Sequence, residues 1–122
     1  MLFITIDETC KELVMNGIVT TMDLLDESKG EIDIAGVVDW GNPLQSDKQR
    51  LNDGLHRLSV IYCTVEDGGR LTGDQLGCVL CILRDAYSRY CETNGEVDRI
   101  GLNESGHGIL GLQELIAKYS SI

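Results

Sequence analysis

The spacing of apolar residues along the chain predicts a protein built mainly of helices. The clearest stretch begins at Asn42-Pro43, an N-cap followed by a proline at the first helical position. Gly54 within this stretch indicates close backbone packing against a neighbour. We therefore predict a helix over about residues 43–66. Its apolar positions recur at the three-, four- and seven-residue steps of an a/d heptad pattern: Leu44, Leu51, Leu55, Leu58, Tyr62 and Val65.

A second long helix is predicted over about residues 72–93. The sequence from Thr72 to Gln75 fits a capping box, and Asn94-Gly95 is a typical helix end. A short turn at Gly68-Gly69 separates this helix from the one before it. Two long helices joined in this way predict an antiparallel αα-hairpin (residues 43–94) at the centre of a helical bundle.

The N-terminal part predicts a short strand followed by a helix. Residues 2–6 are apolar and β-branched, so a small β element, giving an α+β variant of the fold, is expected there. A capping box from Thr9 to Glu12 and apolar residues at helical spacing then predict a helix to about Ser28, ended by Gly30. Asn16-Gly17 leaves a hairpin turn as the alternative.

The remaining segments are shorter. Residues 31–40 predict a second strand or an extended segment, residues 95–108 a polar loop, and residues 109–120 a last helix. A chain of 122 residues is enough for one domain, so we expect residues 1–122 to fold as a single unit.

Acidity is the most informative bulk property. Twenty acids against ten bases give a net charge of −10, and residues 1–40 alone carry −7. Direct binding to nucleic acid is disfavoured, because it requires clustered lysine and arginine. The N-terminal third is instead a candidate surface for a basic protein partner. Its acidic residues are Asp7, Glu8, Glu12, Asp23, Asp26, Glu27, Glu31, Asp33 and Asp39.

Five cysteines are too few for a disulfide scaffold, and their number is odd. No apolar run reaches the roughly 18 residues of a membrane span, and the N-terminus lacks the basic region of a signal peptide. We therefore expect a cytoplasmic protein that does not bind membranes, with reduced and mostly buried thiols. Cys78 and Cys81 form a C-x-x-C pair that core packing explains better than zinc or redox chemistry.

The two histidines do not form a recognisable catalytic set. His56 follows Asp53 by three residues, which favours a surface hydrogen bond or ion pair on one helical face. His107 lies between glycines and has no nearby partner at metal-ligand spacing. We expect no enzymatic activity, no metal and no cofactor.

Excess apolar surface on the two long helices predicts a homodimer. A small domain has few other elements to cover both helices, so a second copy is expected to do so. The residues predicted at that interface are Leu51, Leu55, Leu58 and Tyr62.

These features favour a small, acidic, non-enzymatic module that binds proteins. A regulator or inhibitor occupying a basic surface of its target is the leading expectation, and immunity proteins, antitoxins and mobile-element inhibitors share this bulk profile. One alternative is an oligomeric assembly adaptor. The other is a thiol- or zinc-dependent protein that uses Cys78 and Cys81.

Overall fold

The computed structural model describes residues 3–28, 46–105 and 108–121, and these residues form a mainly helical bundle, as predicted. The predicted segment 31–40, the predicted stop at Gly30 and the predicted cap at Asn42 lie outside them. Among the described helices, none is both long enough and apolar enough to cross a membrane. The elements are β1 (Phe3–Ile4), α1 (Lys11–Ser28), α2 (Asp47–Glu66), β2 (Leu71–Thr72), α3 (Gly73–Glu92), α4 (Leu102–Ser105) and α5 (Gly108–Ser120).

Helix α1 begins within the predicted capping segment and ends at Ser28, as expected. The alternative of a hairpin turn at Asn16-Gly17 is wrong, because both residues lie inside the helix. Gly17 is buried, and a Cβ atom there would lie 3.1 Å from Cγ2 of Ile82 and 3.2 Å from Cγ2 of Ile100. The glycine therefore allows α1 to pack closely on its neighbours.

Helix α2 begins at Asp47, four residues later than predicted. Ser46 is its N-cap: the Ser46 hydroxyl accepts from the Gln49 amide at 3.3 Å, and the Gln49 side chain accepts from the Ser46 amide at 3.1 Å. This reciprocal capping box fixes the start of the helix.

The buried stripe of α2 differs from the predicted heptad pattern at every second position. Leu55 and Tyr62 are only partly buried and lie at the edge of the core. Positions 54 and 61 are buried in their place. The buried residues are Leu51, Gly54, Leu58, Ile61 and Val65.

The predicted capping box at the start of α3 is confirmed. The Thr72 hydroxyl accepts from the Gln75 amide, and the Gln75 side chain accepts from the Thr72 amide. Asn94 and Gly95 both have positive φ and end the helix as expected. The predicted N-terminal strand is present but shorter, and it pairs antiparallel with β2, a strand that the sequence analysis did not predict.

Helix α1 contacts both of the long helices, and α5 packs on α3. Helices α2 and α3 are joined by a short turn, yet each approaches α1 more closely than they approach each other. The structure thus adds α1 to the predicted centre of the bundle. An open groove with a volume of about 710 Å³ lies between α2 and the N-terminal half of α3.

The predicted loop over residues 95–108 contains the short helix α4, so this prediction is partly wrong. Ile100 and Leu102 are almost completely buried and anchor the segment in the core. The Asp98 carboxylate accepts from the amides of Leu102 at 2.7 Å and Asn103 at 2.9 Å, which caps the helix. One turn is too short to show a helical period, which explains why the sequence pattern missed it.

The predicted C-terminal helix is confirmed as α5, which is tied to the start of the chain. Its buried Tyr119 accepts a hydrogen bond from the Asp7 amide at 3.0 Å, and Lys118 pairs with the Asp7 carboxylate. Leu110, in contrast, is 70% exposed and does not belong to the core.

Candidate binding surface along helix α1

One exposed face of α1 carries most of the acidic residues that the structure describes in the N-terminal third. Its exposed positions recur at helical steps and fall within about 100° of the helix circumference. Apart from Asn16 and the 41% exposed Val19, all of them are carboxylates. We call this surface the α1 face: Glu12, Asn16, Val19, Asp23, Asp26 and Glu27.

The carboxylates of the α1 face lack cationic partners within the part of the chain that the structure describes. The one basic residue described in α1, Lys11, instead lies 3.7 Å from Glu8. Asp7 is engaged by Lys118 at the other end of the chain. Negative charge on the α1 face is therefore left for solvent or for a binding partner.

A groove with a volume of about 510 Å³ runs beside the N-terminal half of α1. Its lining contains two carboxylates, Glu8 and Glu12, and two cations, Lys11 and Arg99. Met15, Val19 and Tyr62 provide apolar surface. Tyr62 comes from α2, and its hydroxyl has no hydrogen-bond partner among the described residues. Because Lys11 pairs with Glu8, the groove combines apolar surface with one carboxylate, Glu12, that no described cation compensates.

The opposite wall of the groove is the segment 99–101, which α1 holds in place. The Thr20 hydroxyl donates to the Arg99 carbonyl at 2.7 Å, and the Asn16 amide donates to the Ile100 carbonyl at 3.4 Å. The Arg99 guanidinium pairs with Asp85 of α3, so its charge is compensated within the fold. A wall fixed by these contacts and by a buried isoleucine makes the groove a preformed feature.

The structure separates the predicted partner-binding residues into groups. Glu12, Asp23, Asp26 and Glu27 share the α1 face, Glu8 lines the groove, and Asp7 belongs to the contact with α5. The other three predicted residues, Glu31, Asp33 and Asp39, lie outside the described residues.

The residues predicted for a dimer interface are also divided. Leu58 is fully buried and Leu51 is 9% exposed, so both pack inside their own chain. Leu55 is partly buried, and Tyr62 lies in the groove beside Glu12. Homodimer formation remains a prediction.

The cysteines do not share one environment. Cys78 is buried, and burial together with the neighbouring Cys81 raises the pKa of its thiol to about 12. Cys10 and Cys81 are partly buried, but Cys63 and Cys91 are exposed, so the expectation of mostly buried thiols is wrong for these two.

Within the described ranges, no three histidine, cysteine or acidic side chains cluster as metal ligands would.

His56 lies in a shallow surface depression together with Asp53 and Arg57. The predicted contact between Asp53 and His56 does not form: neither a hydrogen bond nor an ion pair joins these two described residues. Their side chains are both exposed, where water satisfies them. His107 lies outside the described residues.

The acids of the α1 face were predictable from the sequence, but the apolar part of the groove was not. Val19 interrupts the acidic positions of α1 at helical spacing, which was a readable signal for a mixed surface. The approach of Tyr62 and the segment 99–101 depends on tertiary packing.

Comparison with protein-family models, curated proteins and solved structures finds no significant match to this chain.

Proposed function

We propose that the chain is a non-enzymatic protein-binding module, a small acidic regulator or inhibitor that binds a basic surface of a target protein through the α1 face. One observation carries the proposal. Four exposed carboxylates lie on one side of a single helix, and no cation among the described residues compensates them.

Physical chemistry favours a cationic partner for such a surface. Like charges on neighbouring turns of a helix repel one another, and this repulsion is relieved when lysine or arginine side chains approach. A concentrated negative field also steers a basic protein toward the α1 face and excludes acidic competitors. The other acidic residues of the chain increase the overall negative potential but do not direct a partner to one particular face.

The test compares three versions of the chain as bait in affinity capture from native lysate. The α1 variant replaces the four carboxylates of the α1 face by amides: Glu12→Gln, Asp23→Asn, Asp26→Asn and Glu27→Gln. A control variant removes the same amount of charge from exposed positions elsewhere: Glu66→Gln, Glu96→Gln, Glu104→Gln and Glu114→Gln.

The proposal predicts that wild type and the control variant retain the same basic protein and that the α1 variant loses it. Circular dichroism of all three chains shows whether folding is equal. Equal retention by the α1 variant would contradict the proposal, because binding would not depend on the α1 face.

A further inference from the structure

The order of side chains along α1 alternates between charge and apolar surface. Glu12 stands at one end, Met15 and Val19 follow in the groove, and acids return from Asp23 onward. From Glu12 to Glu27 this pattern extends over about 22 Å along the helix axis. A partner that matches it must present positive charge, then an apolar side chain, then positive charge again.

The groove has room for the apolar part of such a partner. Val19 is 41% exposed and Tyr62 is partly exposed, so apolar area remains to be covered there. The Tyr62 hydroxyl and the Glu12 carboxylate border this area and offer hydrogen-bond acceptors to a cation, whereas Glu8 already pairs with Lys11. An apolar side chain flanked by lysine or arginine therefore satisfies both kinds of surface.

We infer that the groove and the α1 face together receive a basic amphipathic helix of the target protein. The helix lies along α1 and places a central apolar side chain against Val19 and Tyr62, with cationic side chains at both ends opposite the acids. Helices dock in this way through apolar anchors spaced three or four residues apart. This inference rests on the proposed function and deepens it by naming the partner's chemistry.

The probe for this inference is a synthetic helical peptide of about 15 residues, the length that spans the α1 pattern. It carries lysines toward both ends and two leucines one turn apart at the centre. A second peptide has the same charge but serines in place of the leucines. Fluorescence anisotropy measures the binding of both peptides to each chain at one fixed ionic strength.

Two matched substitutions of the protein distinguish the groove from general apolar surface. Val19→Ser removes the exposed valine of the groove, and Val60→Ser removes an equally exposed valine of α2 that does not line it (41% against 43% exposed). Neither side chain belongs to the buried core, so neither change should unfold the protein.

We expect the leucine peptide to bind wild type about tenfold more tightly than the serine peptide, the ratio expected for burial of one or two apolar groups. In Val19→Ser the two peptides should bind with nearly equal affinity, whereas in Val60→Ser the tenfold difference between them should remain. Equal binding of both peptides, equal behaviour of the two variants, or no binding of either peptide would overturn the inference.

The peptides also separate this inference from the proposed function. If both peptides bind wild type equally and both bind the α1 variant weakly, the α1 face binds cations without using the groove. If the α1 variant binds both peptides as tightly as wild type, the proposed function fails as well.

Discussion

At the scale of single residues, Gly17 shows how closely the helices of this bundle pack. A methyl group at this position would press on two side chains, Ile82 and Ile100, that are themselves buried and have little freedom to move. The contact matters for the groove, because Ile100 belongs to its opposite wall.

We therefore expect Gly17→Ala to destabilise the protein by about 1 kcal/mol, because overpacking outweighs the gain in helix propensity. Gly77→Ala is the matched control, since a Cβ there would meet no atom within 4 Å. It should stabilise by up to about 1 kcal/mol. Urea unfolding gives both values, and a stabilised Gly17→Ala would show that α1 is not tightly packed.

The Cys78 thiol makes stability depend on alkaline pH. Burial, with a smaller contribution from Cys81, raises its pKa from its ordinary value of 9.0 to about 12, so the folded protein holds a proton that the unfolded chain releases. Its contribution to stability is fully present below pH 9 and is lost as the pH rises toward 12. The raised pKa values of Lys118 and Tyr119 act in the same direction.

We expect the free energy of unfolding to fall between pH 9 and pH 12, with Cys78 contributing up to about 1.4 kcal/mol per pH unit. Cys78→Ala lowers stability at neutral pH through the cavity it leaves, but it should flatten this alkaline slope. Urea unfolding at a series of pH values measures the slope. An unchanged slope in the variant would mean that the thiol does not titrate as its burial implies.

At the scale of elements, the contact between the N-terminal segment and α5 connects the two ends of the chain. The hydrogen bond from the Asp7 amide to the Tyr119 hydroxyl is partly buried, whereas the ion pair of Asp7 with Lys118 is largely exposed. Buried hydrogen bonds contribute more to stability than exposed ion pairs do.

We expect Tyr119→Phe to cost about 1 kcal/mol and to increase hydrogen exchange at the Asp7 amide, because that amide loses its acceptor. Lys118→Ala should change neither quantity appreciably. Hydrogen-exchange mass spectrometry of the N-terminal peptide is the measurement. Unchanged protection in Tyr119→Phe would show that the segment is held by other contacts.

Elements with a repeated apolar pattern and a capping signal could be predicted from the sequence. Helix α3 has both, and its start and end agree with prediction. The start of α2 predicted from Asn42-Pro43 is four residues too early, because the capping box of Ser46 and Gln49 sets the start of this helix. Its heptad pattern allowed either 54 and 61 or 55 and 62 as core positions, a choice that tertiary packing decides.

The candidate site was predictable only in part for the same reason. The acids Glu12, Asp23, Asp26 and Glu27 share one face because of helical periodicity, which a sequence shows directly. The apolar groove requires Tyr62 and the segment 99–101 to come together across different elements. No local pattern encodes that approach.

At the scale of the whole molecule, the proposed function depends on how negative charge is distributed over the surface. The net charge of −10 belongs to the entire chain, but the exposed acids of α1 are gathered on one side. Such an arrangement raises association rates with a basic partner, and dissolved salt screens the effect. If the acidity served solubility alone, the association rate would not depend on where charge is removed from the chain.

The most direct test of this account is the association rate constant of the captured target, measured from about 0.01 M to 1 M salt, where the screening length shrinks from about 30 Å to 3 Å. We expect the rate to fall steeply with salt for wild type and for the control variant. For the α1 variant we expect a low rate that changes little with salt. An identical salt dependence in all three chains would contradict the claim that the α1 face binds the target.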